Sequence, residues 1–167
     1  MEDNGEAKDR IVVRRLRPDD LQRVVALDAK IVGRPRDKFF EAVLRRNLNE
    51  TGLHISLAAE LRGMFVGFVL GRAWYGQLGT LEPYAVLEAL AVHPDFRRLG
   101  VGSALLDQLM TNLRGLNLRS LRTELDWSES ELLAFFHHRE FRPGTRLVLE
   151  RELTREPAPA SERSAAS

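Results

Sequence analysis

Residues 93–106 read HPDFRRLGVGSALL: two arginines, Arg97 and Arg98, stand before glycines 100 and 102 and a serine at 103, and an apolar run follows. Residues of these types in this order suit an anion. A helix N-terminus leaves its first backbone N–H groups unpaired and carries the positive end of the helix dipole. Glycine keeps any Cβ from standing between that backbone and a ligand, and arginine adds charge-assisted contacts to phosphate oxygens. The run YAVLEALAV (84–92) leads into the turn as a strand, and Leu99 to Gly115 leads out of it as a helix. Together they predict a cradle for a phosphate or pyrophosphate. The plainer alternative is a strand-to-helix turn in which glycine serves shape alone. A Walker loop does not fit, because no lysine follows the glycines. A dinucleotide fingerprint does not fit either: Leu105 stands where the third glycine belongs, and the turn lies mid-chain.

Glu88 is a single carboxylate within that apolar strand. A period of two predicts Val86, Glu88, Leu90 and Val92 on one face, where desolvation raises a carboxyl pKa toward that of a useful general base. The other reading is an ion pair with an arginine of a neighbouring element. The histidines carry no metal pattern: His54 and His93 are far apart, His137 and His138 diverge on a helix, and no H-x-x-x-H or H-E-x-x-H spacing occurs. No metal is expected. The absence of cysteine removes disulfides, thiolate nucleophiles and cysteine metal sites together.

The elements that must position these residues follow from periodicity. IVVRRL alternates as a strand; Pro18-Asp19-Asp20 opens a helix with Leu21, Val24, Val25 and Ile31 at helical spacing. A second helix starts near Asp37, with Phe40, Val43, Leu44 and Leu48 on one face. HISLAAEL and MFVGFVLGRAW form a hairpin through Leu61-Arg62-Gly63-Met64, and a loop runs from Tyr75 to Pro83. YAVLEALAV, apolar on both faces, is expected to be central. In the helix from Leu99, a core stripe is made by Val101, Ala104, Leu105, Leu109 and Leu113. LRSLRTEL reads as a strand; Ser128 and Glu131 form a capping box before Leu132, Leu133, Phe135 and Phe136; RLVLERELT reads as a closing strand. The order predicts one α/β domain over 10–153, a mixed sheet with helices on both faces, between flexible tails at 1–9 and 154–167.

Composition agrees with an ordinary globular chain. Of its 167 residues 44% are apolar and 29% charged, with a formal net charge of +1 that supplies no global field for nucleic acid. Only Lys8, Lys30 and Lys38 are lysines among the basic residues, a bias that codon usage explains as readily as anion binding. No apolar run approaches the roughly 20 residues needed to cross a bilayer, and no secretory signal is visible, so a cytoplasmic location is expected.

Arg97-x-x-Gly100-x-Gly102 resembles the Q/R-x-x-G-x-G/A acetyl-CoA motif of the GNAT superfamily of N-acetyltransferases, and LEALAVHPDF resembles that family's central strand with its V-x-P ending. The likeness is specific over about 86–109 and looser over 10–152. It implies a mostly antiparallel sheet splayed at the central strand, and transfer of acetyl from acetyl-CoA to a primary amine of a small molecule, peptide or protein by direct attack. The pyrophosphate would lie on the turn at Arg97, Arg98, Leu99, Gly100, Val101, Gly102 and Ser103. The pantetheine arm would pair with main-chain groups of Leu90, Ala91 and Val92. The Leu90 amide would stabilise the oxyanion, and Glu88 matches a position where the family often places a base. The chain departs from the pattern where many relatives carry an acidic tyrosine: Phe136 stands there, followed by Glu140-Phe141 in place of Gly-Phe. His137, Tyr84, Tyr75 or a water are the other candidates for the acid. The acceptor would enter between the first two helices and the 75–83 loop, past Asp37 and Glu82. A homodimer is compatible with the resemblance. A non-catalytic acyl-CoA-sensing domain of the same fold, or a module whose arginines bind an acidic macromolecule, are the competing readings.

Overall fold

Tyr84–Val92, nine residues of which all but Glu88 are aromatic or aliphatic, form the strand around which the other elements are arranged. The structure, a computed structural model, describes residues 10–49, 55–75, 82–145 and 148–151. They fall into two compact units, Met1–Glu124 and Leu125–Ser167. The first holds β1 (Val12–Arg15), a 3₁₀ turn (Pro18–Asp20), α1 (Leu21–Val32), α2 (Asp37–Asn49), β2 (Leu57–Leu61), β3 (Met64–Trp74), β4 (Tyr84–Val92), α3 (Val101–Gly115) and β5 (Leu121–Arg122). The sheet order is β1-β2-β3-β4-β5. Strands β1 to β4 run antiparallel to their neighbours, and β5 is parallel to β4.

The two faces carry separate cores. On one, Val24, Val25 and Leu27 of α1 and Phe40, Val43 and Leu44 of α2 bury Ala58, Phe68, Leu70 and Ala91. Phe40 meets Phe68 edge to face at 6.0 Å, the arrangement that ring quadrupoles favour. The other face is covered by α3 through Val101, Leu105, Leu106, Leu109 and Leu113. Leu106 joins the expected stripe, whereas Ala104 is only half-buried. Gly67 lets α3 come close to the sheet here. A Cβ on it would lie 2.9 Å from the Ala91 carbonyl oxygen and 3.0 Å from Val101 Cγ1. Among the described residues no helix is long and apolar enough to cross a membrane.

The predicted strand over 118–125 shortens to Leu121–Arg122. Of the predicted closing strand over 146–154, Val148–Arg151 are not in a strand, with Leu149 91% exposed, and its other residues lie outside those described. Alternation of apolar residues is necessary for a strand but not sufficient, because a ladder partner is needed as well. The second unit contains α4 (Ser130–His138). The capping box does not form: Glu129 is the N-cap, and the Ser128 hydroxyl and amide both donate to Asp126 Oδ1, at 2.6 and 2.8 Å. A local Asx turn competes successfully for the serine.

Arg14 ties β1 to the 3₁₀ turn and to β2. Its guanidinium donates twice to Asp20 (2.7 and 2.9 Å) and twice to Glu60 (2.9 and 2.7 Å). Burial pushes the Asp20 carboxyl up, but hydrogen bonds from Arg14 and the Arg17 amide, with the charges of Arg14 and Arg23, outweigh it and hold its pKa below the ordinary 3.8. A carboxyl lowered by folding contributes stability that is fully present above its unfolded pKa and is lost as pH falls through the folded value. Urea titrations are therefore expected to show stability falling below about pH 4, with a shallower slope in Asp20→Asn. That variant is expected to cost about 2–3 kcal/mol at pH 7, since it removes one partner of a largely buried pair.

Candidate functional site

The centre of the site is an irregularity in β4. Along β3 the pairs run Val69↔Leu90, Leu70↔Ala89 and then Gly71↔Leu87, so the register skips Glu88 as an extra residue of β4. A bulge of this kind changes which residues face each way on either side of it. C-terminal to it, His93 N–H bonds to the Val66 carbonyl at 2.8 Å. The Ala91 carbonyl also points at β3, close to Gly67. Alternation then aims the N–H and C=O groups of Leu90 and Val92 at the opposite edge. N-terminal to the bulge, Ala85 N–H donates to Ser120 at 2.9 Å, on the β5 side.

On that side the partner strand has already ended. The β4–β5 ladder consists of Ala85↔Leu121 and Val86↔Arg122, after which the Thr123 hydroxyl closes it by donating to the Leu87 carbonyl at 3.1 Å. Among the described residues no strand pairs with β4 beyond this point. Leu90 and Val92 thus present donor and acceptor groups along an open edge, which an extended amide-bearing ligand can satisfy as an added strand would. The predicted residue Ala91 sits between them with its side chain buried and its main chain turned to β3.

The edge leads directly into the glycine turn. Pro94–Phe96 make one 3₁₀ turn, Arg98 has φ +62°, and Gly100 is the N-cap of α3 with φ +83°. The first intrahelical bond is Ala104 N–H to the Gly100 carbonyl at 2.9 Å. The amides of Val101, Gly102 and Ser103 therefore precede any intrahelical partner, and Gly100 has no side chain to cap them. Nothing lies within 4 Å of where a Gly100 Cβ would stand. Arg97, Arg98 and Leu99 are exposed around this opening, while Val101 is buried and anchors the helix. Lys30, in the last turn of α1, was not selected from sequence, yet its Nζ lies 2.8 Å from His93 Nε2 at the start of the turn. Only a contact across 63 residues could reveal it. His93 Nδ1 is 3.3 Å from the Asp95 amide nitrogen, and which ring nitrogen accepts depends on the tautomer.

The bulge also corrects the predicted grouping on β4. Leu90 and Val92 pair with Val69 and Gly67, on the face toward α3, whereas Val86 pairs with Arg72 on the other face. Glu88 joins Val86 there, with its Oε1 3.3 Å from Arg72 Nε. That contact is an ion pair without hydrogen-bond geometry, since Arg72 Nε makes no hydrogen bond. The neighbouring-arginine reading of Glu88 is therefore part of the structure. On the same face Arg72 lies over Trp74 (4.3 Å), Trp74 stacks on Tyr84 (6.4 Å, 14° between planes), and Arg122 lies over Tyr84 (3.8 Å).

Other predicted acceptor-side features are accounted for locally. Glu82 Oε1 is 3.6 Å from Arg119 Nη1, both exposed. Asp37 is the first residue of α2, where a carboxylate complements the helix dipole. Arg36 donates to Asp28 at 2.8 Å and lies over Phe40 at 5.4 Å, fixing the α1–α2 connector. The 75–83 loop lies mostly outside the described residues. In the second unit, Phe136 is buried, edge-on to Phe135 at 5.3 Å and Phe141 at 4.9 Å, as packing rather than acid chemistry requires. Glu140 has φ +65°, which explains why glycine suits that position. Among the described residues no group of three or more His, Asp or Glu side chains could hold a metal.

Residues 20–141 match the family model described as the acetyltransferase (GNAT) family. A search of curated proteins gives no match. Similar solved structures include an aminoglycoside N-acetyltransferase in complex with CoA, at 18% identity over 86% of this chain and 95% of that one, with TM-score 0.73. A ribosomal-protein-alanine N-acetyltransferase from Brucella melitensis biovar Abortus 2308 aligns at 19% identity over 86% and 100% of the two chains, with TM-score 0.69. A transcriptional regulator from Bacillus halodurans C-125 aligns at 16% over 86% and 100%, with TM-score 0.70. At these identities the likeness is one of fold, and it extends to the mixed, mostly antiparallel open sheet.

Proposed function

This chain belongs to the acetyltransferase (GNAT) family, and we propose that it transfers the acetyl group of acetyl-CoA to a primary amine by direct attack. The observation that carries this reading is the continuity of unpaired main-chain groups from the open edge of β4 into the N-terminus of α3. The diphosphate of acetyl-CoA needs several N–H donors and a positive field in one place. The amides of Val101, Gly102 and Ser103 offer the donors, with Arg97 and Arg98 at the rim and Lys30 nearby. The amide groups of the pantetheine arm need a β-edge, which Leu90 and Val92 offer. Leu99 flanks the phosphates, and Ala91 contributes by holding its neighbours in register with β3.

The acetyl carbonyl then falls at the start of that edge. The Leu90 N–H donates to the carbonyl oxygen as the attacking amine pushes charge onto it, an interaction strongest in the transition state. The acceptor ammonium gives its proton to Glu88, directly or through a water. The carbon–sulfur bond breaks, and CoA departs as a thiolate that takes its proton from water.

Acetyl-CoA is expected to raise the melting temperature by mass action, and dephospho-CoA and free pyrophosphate should do so less. Gly100→Glu places a carboxylate in the open space above the helix N-terminus. It should keep the fold, at a cost of about 1 kcal/mol for the left-handed φ, and lose acetyl-CoA binding measured by calorimetry. Binding that survives this change contradicts the phosphate assignment. Glu88→Gln is expected to lower kcat about 10²-fold, with acetyl-CoA affinity unchanged. An unaltered kcat removes Glu88 from the base role. Acetyl-CoA binding without turnover on any amine would favour the acyl-CoA-sensing reading.

A further inference from the structure

On the face of the sheet that carries Glu88, α1 and α2 cover β3 at Phe68 and Leu70 and β4 at Ala89 and Ala91. Arg72, Trp74, Tyr84 and Val86 lie further along the same face, outside that cluster, and are each half-buried. There the side chains form a ladder across three strands: Arg72 and Trp74 from β3, Tyr84 from β4 and Arg122 from β5. The ladder starts where the β4–β5 pairing ends, one bulge away from the open edge of Leu90. An amine that attacks a carbonyl held at Leu90 from this face must carry the rest of its molecule over the ladder.

The charges on the ladder are unequal. Arg72 is neutralised by Glu88. Arg122 is exposed, and among the described residues its guanidinium has the Tyr84 ring as partner and no carboxylate. A guanidinium stacked on an aromatic face is held in orientation at little entropic cost, while its in-plane N–H donors remain free. Such a group is prepared for a carboxylate, which it binds through two parallel hydrogen bonds. The same charge opposes an acceptor bearing several ammonium groups.

We propose that the acceptor of this enzyme is a primary amine on a molecule that also carries a carboxylate, and that Arg122 on its Tyr84 platform is the group that selects it. This rests on the acetyl-transfer reading above. The carboxylate can come from a free amino acid or from an acidic residue of a peptide, the shared chemistry being an anion a few bonds from the amine. A polycationic amine is the class that the ladder rejects, although an aminoglycoside N-acetyltransferase shares the fold.

The test is a comparison of acceptors alike in length and different in charge: 4-aminobutyrate, butylamine and 1,4-diaminobutane, with the peptide amides Ala-Glu-Ala and Ala-Lys-Ala. CoA release is followed at saturating acetyl-CoA, and acetyl-CoA affinity is measured separately by calorimetry. The expected kcat/KM is higher by about tenfold or more for the anionic member of each set, as one charge-assisted contact provides. Activity on 4-aminobutyrate alone would identify a free amino acid as the source, and activity on Ala-Glu-Ala alone a peptide. Arg122→Glu should reverse the preference through KM with acetyl-CoA affinity unchanged, and Arg122→Lys should restore part of it. Equal rates across the charges or a cationic preference in the unmodified protein overturns this proposal alone, whereas no turnover with any member despite acetyl-CoA binding overturns it and favours the acyl-CoA-sensing reading. Failure to bind acetyl-CoA overturns the transfer reading, and this proposal with it.

Discussion

Among the described residues, strand β4 pairs with β3 on one side along its length except at the Glu88 bulge, and with β5 on the other at only two residues, Ala85 and Val86. Main-chain groups at such an edge must find water or a ligand, because an unpaired donor or acceptor away from solvent costs about 1–3 kcal/mol. Everything else around the site keeps that edge open and correctly directed. The Glu88 bulge turns Leu90 and Val92 outward, Thr123 ends the β5 ladder at Leu87, and Gly67 lets α3 approach until its first turn continues the line of the edge. The site is therefore made chiefly of backbone, with side chains at its rim.

This division explains how the fold tolerates wide change in sequence. Contacts through main-chain amides require geometry rather than residue type, so relatives of similar fold need share few residues with this chain. Side chains matter where geometry must be fixed or charge supplied. Arg14 ties β1 to β2, and Arg36 pins the α1–α2 connector to Asp28. The ladder from Arg72 to Arg122 supplies the charge on the acceptor face. Arginine suits all three positions because its planar fork combines paired hydrogen bonds with stacking.

The strands β3 and β4 and the helices α1, α2 and α3 were legible because each carries enough apolar residues at one period to bury a face. The glycine turn was legible too, since Gly100 adopts the left-handed conformation that the residue type permits. The bulge was not. YAVLEALAV reads as an unbroken strand, and nothing in its alternation says that the register skips Glu88, so a period of two places Val86 and Glu88 with Leu90 and Val92. The capping box failed for a related reason: Asp126 offered Ser128 a closer acceptor than the helix did. Contacts such as Lys30 with His93, or Arg122 with Tyr84, join distant parts of the chain and leave no local trace.

Residue-resolved amide hydrogen exchange with and without acetyl-CoA tests most directly whether exposed main-chain donors hold the cofactor. The account predicts slower exchange at Leu90, Val92, Val101, Gly102 and Ser103 when acetyl-CoA is present, with Ala91, already turned to β3, little changed. Unchanged exchange at those five amides, under conditions where acetyl-CoA is shown to bind, would contradict it.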